Sequence, residues 1–196
     1  MITVGVHGWA EQDGGKQTVG RLTPFIDDIS PYTLFKHQWP RSRTWALLAQ
    51  RSRTRQEAEL LASRIQHGAV LVTYSNGAAL AKRAIEDAGV EIPLWIIIAG
   101  ALPRDFDVPD GVKKVIVMHS NGDTAVRLGR LWTWVNPVAW VKGHDWGDLG
   151  AVGYRGGDAR VVNWPARSDK PHGGWFDAEP LSYWGPMIRR EVEKAV

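Results

Sequence analysis

The chain has no cysteine, so disulfides, thiolate nucleophiles and cysteine-bound metals are excluded at the outset. Long apolar runs are missing too: no stretch approaches the ~20 residues needed to span a bilayer. Neither charge sign dominates. The 24 Lys and Arg against 21 Asp and Glu leave a net charge of +3, a bias too mild to call for a nucleic-acid partner. Met1-Ile2-Thr3-Val4 passes straight into a strand pattern, without the charged start and apolar core of a secretory signal, so the expectation is a cytoplasmic protein. What is present is ordinary for a globular chain: 44% hydrophobic and 23% charged residues over a length of 196. That length predicts one domain, 1–196, with a full core. Tryptophan is the abundant exception, with 11 copies.

Short apolar runs recur at 2–6, 32–35, 69–74, 94–98 and 112–118, and 160–164 looks like a last strand. Between them lie segments of helical period. Val19, Leu22, Phe25, Ile26 and Ile29 form one, with Pro24 kinking it or opening its second piece. Ala58, Leu61, Ala62 and Ile65 form another, behind a Thr54/Glu57 capping box. Trp184, Ile188, Val192 and Ala195 mark a closing helix over 182–196. Strands that are apolar on both faces and alternate with helices predict an α/β fold, a mostly parallel central sheet of about six strands with helices on both faces.

The most informative stretch is 68–89. An apolar strand up to Tyr74 turns sharply through Ser75-Asn76-Gly77 into a helix with Leu80, Ala81, Ala84, Ile85 and Ala88 on one face, stopped by Gly89. A serine at such an elbow is pushed above the sheet, where the helix N-terminus aims its free N–H groups. The motif G-x-S-x-G reads Thr73-Tyr74-Ser75-Asn76-Gly77 here, with a threonine for the first glycine. The plainer alternative is a β–α turn in which Ser75 caps the helix.

In an open parallel sheet a site forms beyond the carboxyl ends of the strands. The first strand there delivers His7-Gly8-Trp9, the third Ser75, the fifth His119 through Asp123, and the sixth Pro171-His172-Gly173. Asp123 also suits a helix cap and His172 a surface loop, and His144 beside Asp145 is a competing base. Serine, acid and histidine in this chain order resemble the α/β-hydrolase superfamily, and the resemblance covers nearly all of 1–196. It implies a minimal, cap-less fold similar to small esterases and lipase-like enzymes. It further implies a carboxylic ester hydrolase acting on a small-molecule ester without a cofactor. In that reading Ser75 is the nucleophile, His172 the base and Asp123 its orienting acid, with the oxyanion received by the backbone N–H groups of Trp9 and Asn76. His7 is then structural.

Other readings compete. Gly14-Gly15-Lys16-Gln17-Thr18 lies between a strand and a helix, although Gln17 breaks the P-loop spacing. His119, Asp123, His144, Asp145 and His172 could in principle share a metal, without a recognised ligand spacing. Arginines 41, 43, 51, 53 and 55 read as a solvated face before they read as a phosphate site. The segment 131–146, with Trp132, Trp134, Trp140 and Trp146, is either a lid or core. A hydrolase-like domain without chemistry, binding a partner or a small molecule, is the strongest rival to the enzyme.

Overall fold

The computed structural model describes residues 1–8, 11, 13–36, 55–128, 147–167 and 169–196. The expected strands become β1 (Thr3–Val6), β2 (Tyr32–Phe35), β3 (Val70–Tyr74), β4 (Trp95–Ile98), β5 (Val115–His119) and β6 (Val161–Pro165). They pair in one six-stranded sheet of order β2-β1-β3-β4-β5-β6. Every pairing is parallel. Helices are described at Thr23–Ile26 (α1), residues 55–62 (α2), Gly77–Ala88 (α3), residues 124–128 (α4), Leu149–Val152 (α5) and Ala178–Ala195 (α6). None of the described helices is long and apolar enough to cross a membrane.

The pleat sends alternate residues of the central strands into two cores. Leu71, Trp95, Ile97, Val115 and Val117 face α2 and α3 on one side. Val70, Val72, Ile96, Ile98, Ile116 and Met118 face α1 and α6 on the other. This is why the strands read as unbroken apolar runs: both faces are covered. The edge strands β2 and β6 are more exposed, with Val162 41% accessible.

Several boundaries differ from expectation for local reasons. Residues 112–114 are not strand, because the chain there turns at Pro109–Val112 and is held by the Arg160 guanidinium on the carbonyls of Val108, Pro109 and Val112. Pro24 opens α1 after a 3₁₀ turn at Val19–Leu22, where its missing N–H costs nothing. The closing helix starts at Ala178 rather than at 182, since Pro180 lies in the first turn. Thr54 of the expected capping box lies outside the described residues. So do the arginines at 41, 43, 51 and 53; Arg55 is exposed and pairs with Glu59 at 3.0 Å, as a solvated face would.

The strand order reverses between β1 and β3, and there the backbones crowd. A Cβ on Gly77 would lie 2.6 Å from the carbonyl oxygens of both Val6 and His7, at the end of β1. In an ordinary helix Gly→Ala gains about 1 kcal/mol. Here overpacking against two backbone oxygens outweighs that gain, since such clashes cost about 1–3 kcal/mol and a backbone cannot rotate aside. Gly77→Ala is therefore expected to lower the urea midpoint of unfolding. An unchanged or raised midpoint would show that β1 yields at no cost.

Candidate functional site

Ser75 sits on the elbow between β3 and α3 with φ +54°, a left-handed backbone rarely held by a side-chain-bearing residue. Its own N–H continues the ladder to the Ile98 carbonyl at 3.0 Å. The close approach that this turn demands is met by Gly77 and, from the end of β1, by Gly8, where a Cβ would lie 2.8 Å from Ser75 Cβ. Thr73 does not disturb the elbow. Its side chain is fully buried on the α3 side, where Oγ1 accepts the Trp95 indole N–H at 3.0 Å and donates to the Ile96 carbonyl at 3.3 Å. The residue that replaces the first motif glycine is thus a satisfied part of the core.

Ser75, His172 and Asp123 come together. His172 Nε2 is 2.8 Å from Ser75 Oγ, and Nδ1 is 2.8 Å from Asp123 Oδ2. An ionised carboxylate can only accept, so Nδ1 carries the proton and Nε2 is left to accept the serine hydroxyl. Asp123 is fully buried, whereas the His172 side chain is 22% exposed, so the imidazole closes the site from the solvent side. The two oxygens of Asp123 have separate partners. Oδ2 meets the histidine while Oδ1 accepts the Val126 N–H at 3.3 Å, capping α4.

His172 opens a 3₁₀ turn, His172–Phe176, that Trp175 and Phe176 bury against the sheet at 2% and 3% exposure. Burying side chains of this size contributes about 2 kcal/mol or more each. Two further ties fix the turn. Arg21 Nη1 donates to the Phe176 carbonyl at 2.8 Å. Ser120 Oγ accepts the Lys170 N–H at 2.6 Å and donates to the Lys170 carbonyl at 3.0 Å, clasping the exit of β5 to the chain entering the turn. Gly122 makes room for that chain, as a Cβ there would meet Lys170 O at 2.9 Å. Ser120, Gly122 and Tyr74, discussed below, escape a reading by motif because their partners are remote in sequence.

The other expected residues fall as follows. Asn76 is buried at the start of α3. Trp9, His144, Asp145 and the Trp-rich segment 131–146 lie outside the described residues. His7 is fully buried, donates from Nδ1 to the Gly8 carbonyl at 2.9 Å, and is pushed below the usual histidine value by burial. That is a structural setting. His119 ends β5 with its ring against Gly153, and burial lowers its pKa as well. Among the described residues no three His, Asp or Glu groups cluster as metal ligands. The P-loop reading fails locally: Asp13 accepts the N–H groups of Gly15 and Gln17, both at 2.9 Å, so the amides that would cradle a phosphate are already engaged.

A second carboxylate borders the site. Glu11 Oε2 accepts the Thr18 hydroxyl at 2.6 Å and lies 3.9 Å from His7 Nδ1, while Oε1 is buried. Burial pushes this carboxyl up to about 6, despite the Thr18 hydrogen bond and the nearby His172, which both favour the ionised form. Because the folded value exceeds the unfolded one, ionising Glu11 costs stability. That cost is absent below about 4.5 and complete above about 6.

A parallel sheet with this strand order, an elbow serine after β3, an acid after β5 and a histidine after β6 is the α/β-hydrolase fold. No protein-family model matches the chain, and no curated protein matches it in sequence. Solved structures match it in fold. A dienelactone hydrolase-like promiscuous phosphotriesterase from metagenomic libraries is similar at TM-score 0.53 and 12% identity, covering 100% of this chain and 87% of that one. The hyperthermophilic esterase of the archaeon Pyrobaculum calidifontis is similar at TM-score 0.51 and 12% identity, covering 98% and 74%. Esterase PE8 is similar at TM-score 0.50 and 15% identity, covering 96% and 91%. The likeness is one of backbone path.

Proposed function

We propose that the chain is a serine hydrolase that cleaves carboxylic esters of small molecules through an acyl-enzyme, working as one domain in the cytoplasm. The observation that carries this reading is the unbroken hydrogen-bonded line Ser75–His172–Asp123. Ser75 Oγ attacks the ester carbonyl while His172 Nε2 takes its proton, and the imidazolium that forms is stabilised by the buried Asp123. The tetrahedral oxyanion is received by the backbone N–H of Asn76 and by that of Trp9. His172 then returns the proton to the leaving alkoxide, which departs as alcohol and leaves the acyl group on Ser75. Water, deprotonated by the same imidazole, releases the carboxylic acid and restores the serine. These side chains supply the whole reaction, so no cofactor is required. The names of similar structures, two of them esterases, agree with the choice of ester.

Mixing the protein with p-nitrophenyl acetate tests the reading. A burst of p-nitrophenol in proportion to the protein is expected, together with an acetyl mass increment on the peptide containing Ser75. A folded protein that gives neither burst nor adduct is instead a binding domain without chemistry.

A further inference from the structure

The motif around Ser75 places a tyrosine immediately before it, and the proposed reaction gives that tyrosine no task. Tyr74 is the last residue of β3 and is 6% exposed, with its side chain on the face of the sheet where the 172–176 turn packs. Its hydroxyl donates to the main-chain carbonyl of His172 at 3.2 Å. Its ring lies against the His172 imidazole, with centroids 5.0 Å apart and planes 31° apart. The Phe176 ring meets the same phenol edge-on at 5.1 Å. One side chain therefore touches both ends of the turn that carries the histidine.

We propose that Tyr74 is a positioning residue for His172, locking the base-bearing turn onto the nucleophile elbow through its hydroxyl and its ring. The inference rests on the reading of Ser75, His172 and Asp123 as a triad. The geometry explains what the triad bonds alone do not. Two hydrogen bonds to the imidazole fix the ring's nitrogens, but the ring can satisfy them only if the backbone of residue 172 is held at the right distance from the elbow. Tyr74 and Ser75 are consecutive, so the elbow grips His172 twice: the serine at Nε2, the tyrosine at the carbonyl and, tilted, against the ring. Burial, together with the neighbouring carboxylates of Glu11 and Asp123, pushes the phenol well above its usual range, so the hydroxyl stays protonated and remains a donor. Any buried tyrosine needs a partner for its hydroxyl; here that partner is the carbonyl of the histidine itself, and the same ring lies against the imidazole.

The test uses the full chain with Tyr74→Phe and Tyr74→Leu, each alone and combined with His172→Ala, and p-nitrophenyl acetate as substrate. Loss of the hydroxyl bond in Tyr74→Phe is expected to lower kcat about 10-fold, with KM and melting temperature nearly unchanged. Tyr74→Leu also loses the ring and should fall about 100-fold, the scale of a 1 Å misplacement of a reacting group. Neither change should slow His172→Ala further, because Tyr74 acts through the imidazole. A second readout is independent of turnover: the downfield proton signal of His172 Nδ1–H facing Asp123 should be sharp in the wild type and broadened in Tyr74→Phe. Wild-type kcat together with an unbroadened signal in Tyr74→Phe would overturn the proposal. If the wild type hydrolyses no ester, the ester reading fails and the proton signal alone decides Tyr74, its persistence in Tyr74→Phe counting against the role.

Discussion

Ser75→Ala is expected to abolish turnover, with a loss on the order of 10⁶, the scale seen when the nucleophile is removed from a serine protease triad. The comparison is clean for a structural reason. The φ of +54° at this position strains alanine and serine alike, so the substitution removes the hydroxyl and leaves the elbow's conformational cost in place. The oxygen that is lost bonds His172 Nε2, and the exposed side of the imidazole lets water replace it. Stability should therefore change little. A fluorophosphonate probe should label the wild type and not the variant, with both equally folded by circular dichroism. Labelling that survives in Ser75→Ala would remove Ser75 from its role.

His172→Ala should lose nearly as much, because a serine hydroxyl without a base is a poor nucleophile. The diagnostic result is the double variant. Members of a triad act as a unit, so Ser75→Ala with His172→Ala should be little worse than either alone, far from the product of two separate losses. Asp123→Asn sharpens the assignment. An asparagine oxygen can still accept the Val126 N–H and cap α4, but its amide would face His172 Nδ1 and favour the wrong tautomer. In a serine protease the equivalent change lowers kcat by about 10⁴ with the geometry intact. Near-normal turnover in His172→Ala, alongside collapse in His144→Ala, would transfer the base to His144.

Much of this arrangement is legible in the residues because it follows from local rules. Strands β3, β4 and β5 are apolar on both faces since helices cover both, and that pattern survives in one dimension. Ser75 and Asp123 stand just beyond strand ends in a parallel sheet and His172 a short loop beyond the last, so their convergence follows once the strands are placed. Legibility ends where a residue's reason lies far along the chain. Nothing near Ser120 indicates that its hydroxyl clasps Lys170, 50 residues on, nor does Gly8 announce that it makes room for Ser75. Thr73 reads as a defect in the elbow motif until Trp95, a neighbour only across the sheet, is seen to hydrogen-bond it. Asp123 looks like a choice between capping and acid chemistry because a sequence shows one residue where the structure shows two oxygens with separate partners.

The left-handed backbone at Ser75 has a consequence for how this chain could be improved. Glycine is the residue that such a φ accommodates without penalty, and a non-glycine residue held there costs on the order of 1–3 kcal/mol. A selection for thermal robustness alone would therefore drift towards glycine at position 75 and erase the hydroxyl. If Ser75 is the nucleophile proposed above, a selection for activity must hold the serine and gather stability elsewhere, in the two cores on either side of the sheet. Robustness and reactivity pull this one codon in opposite directions.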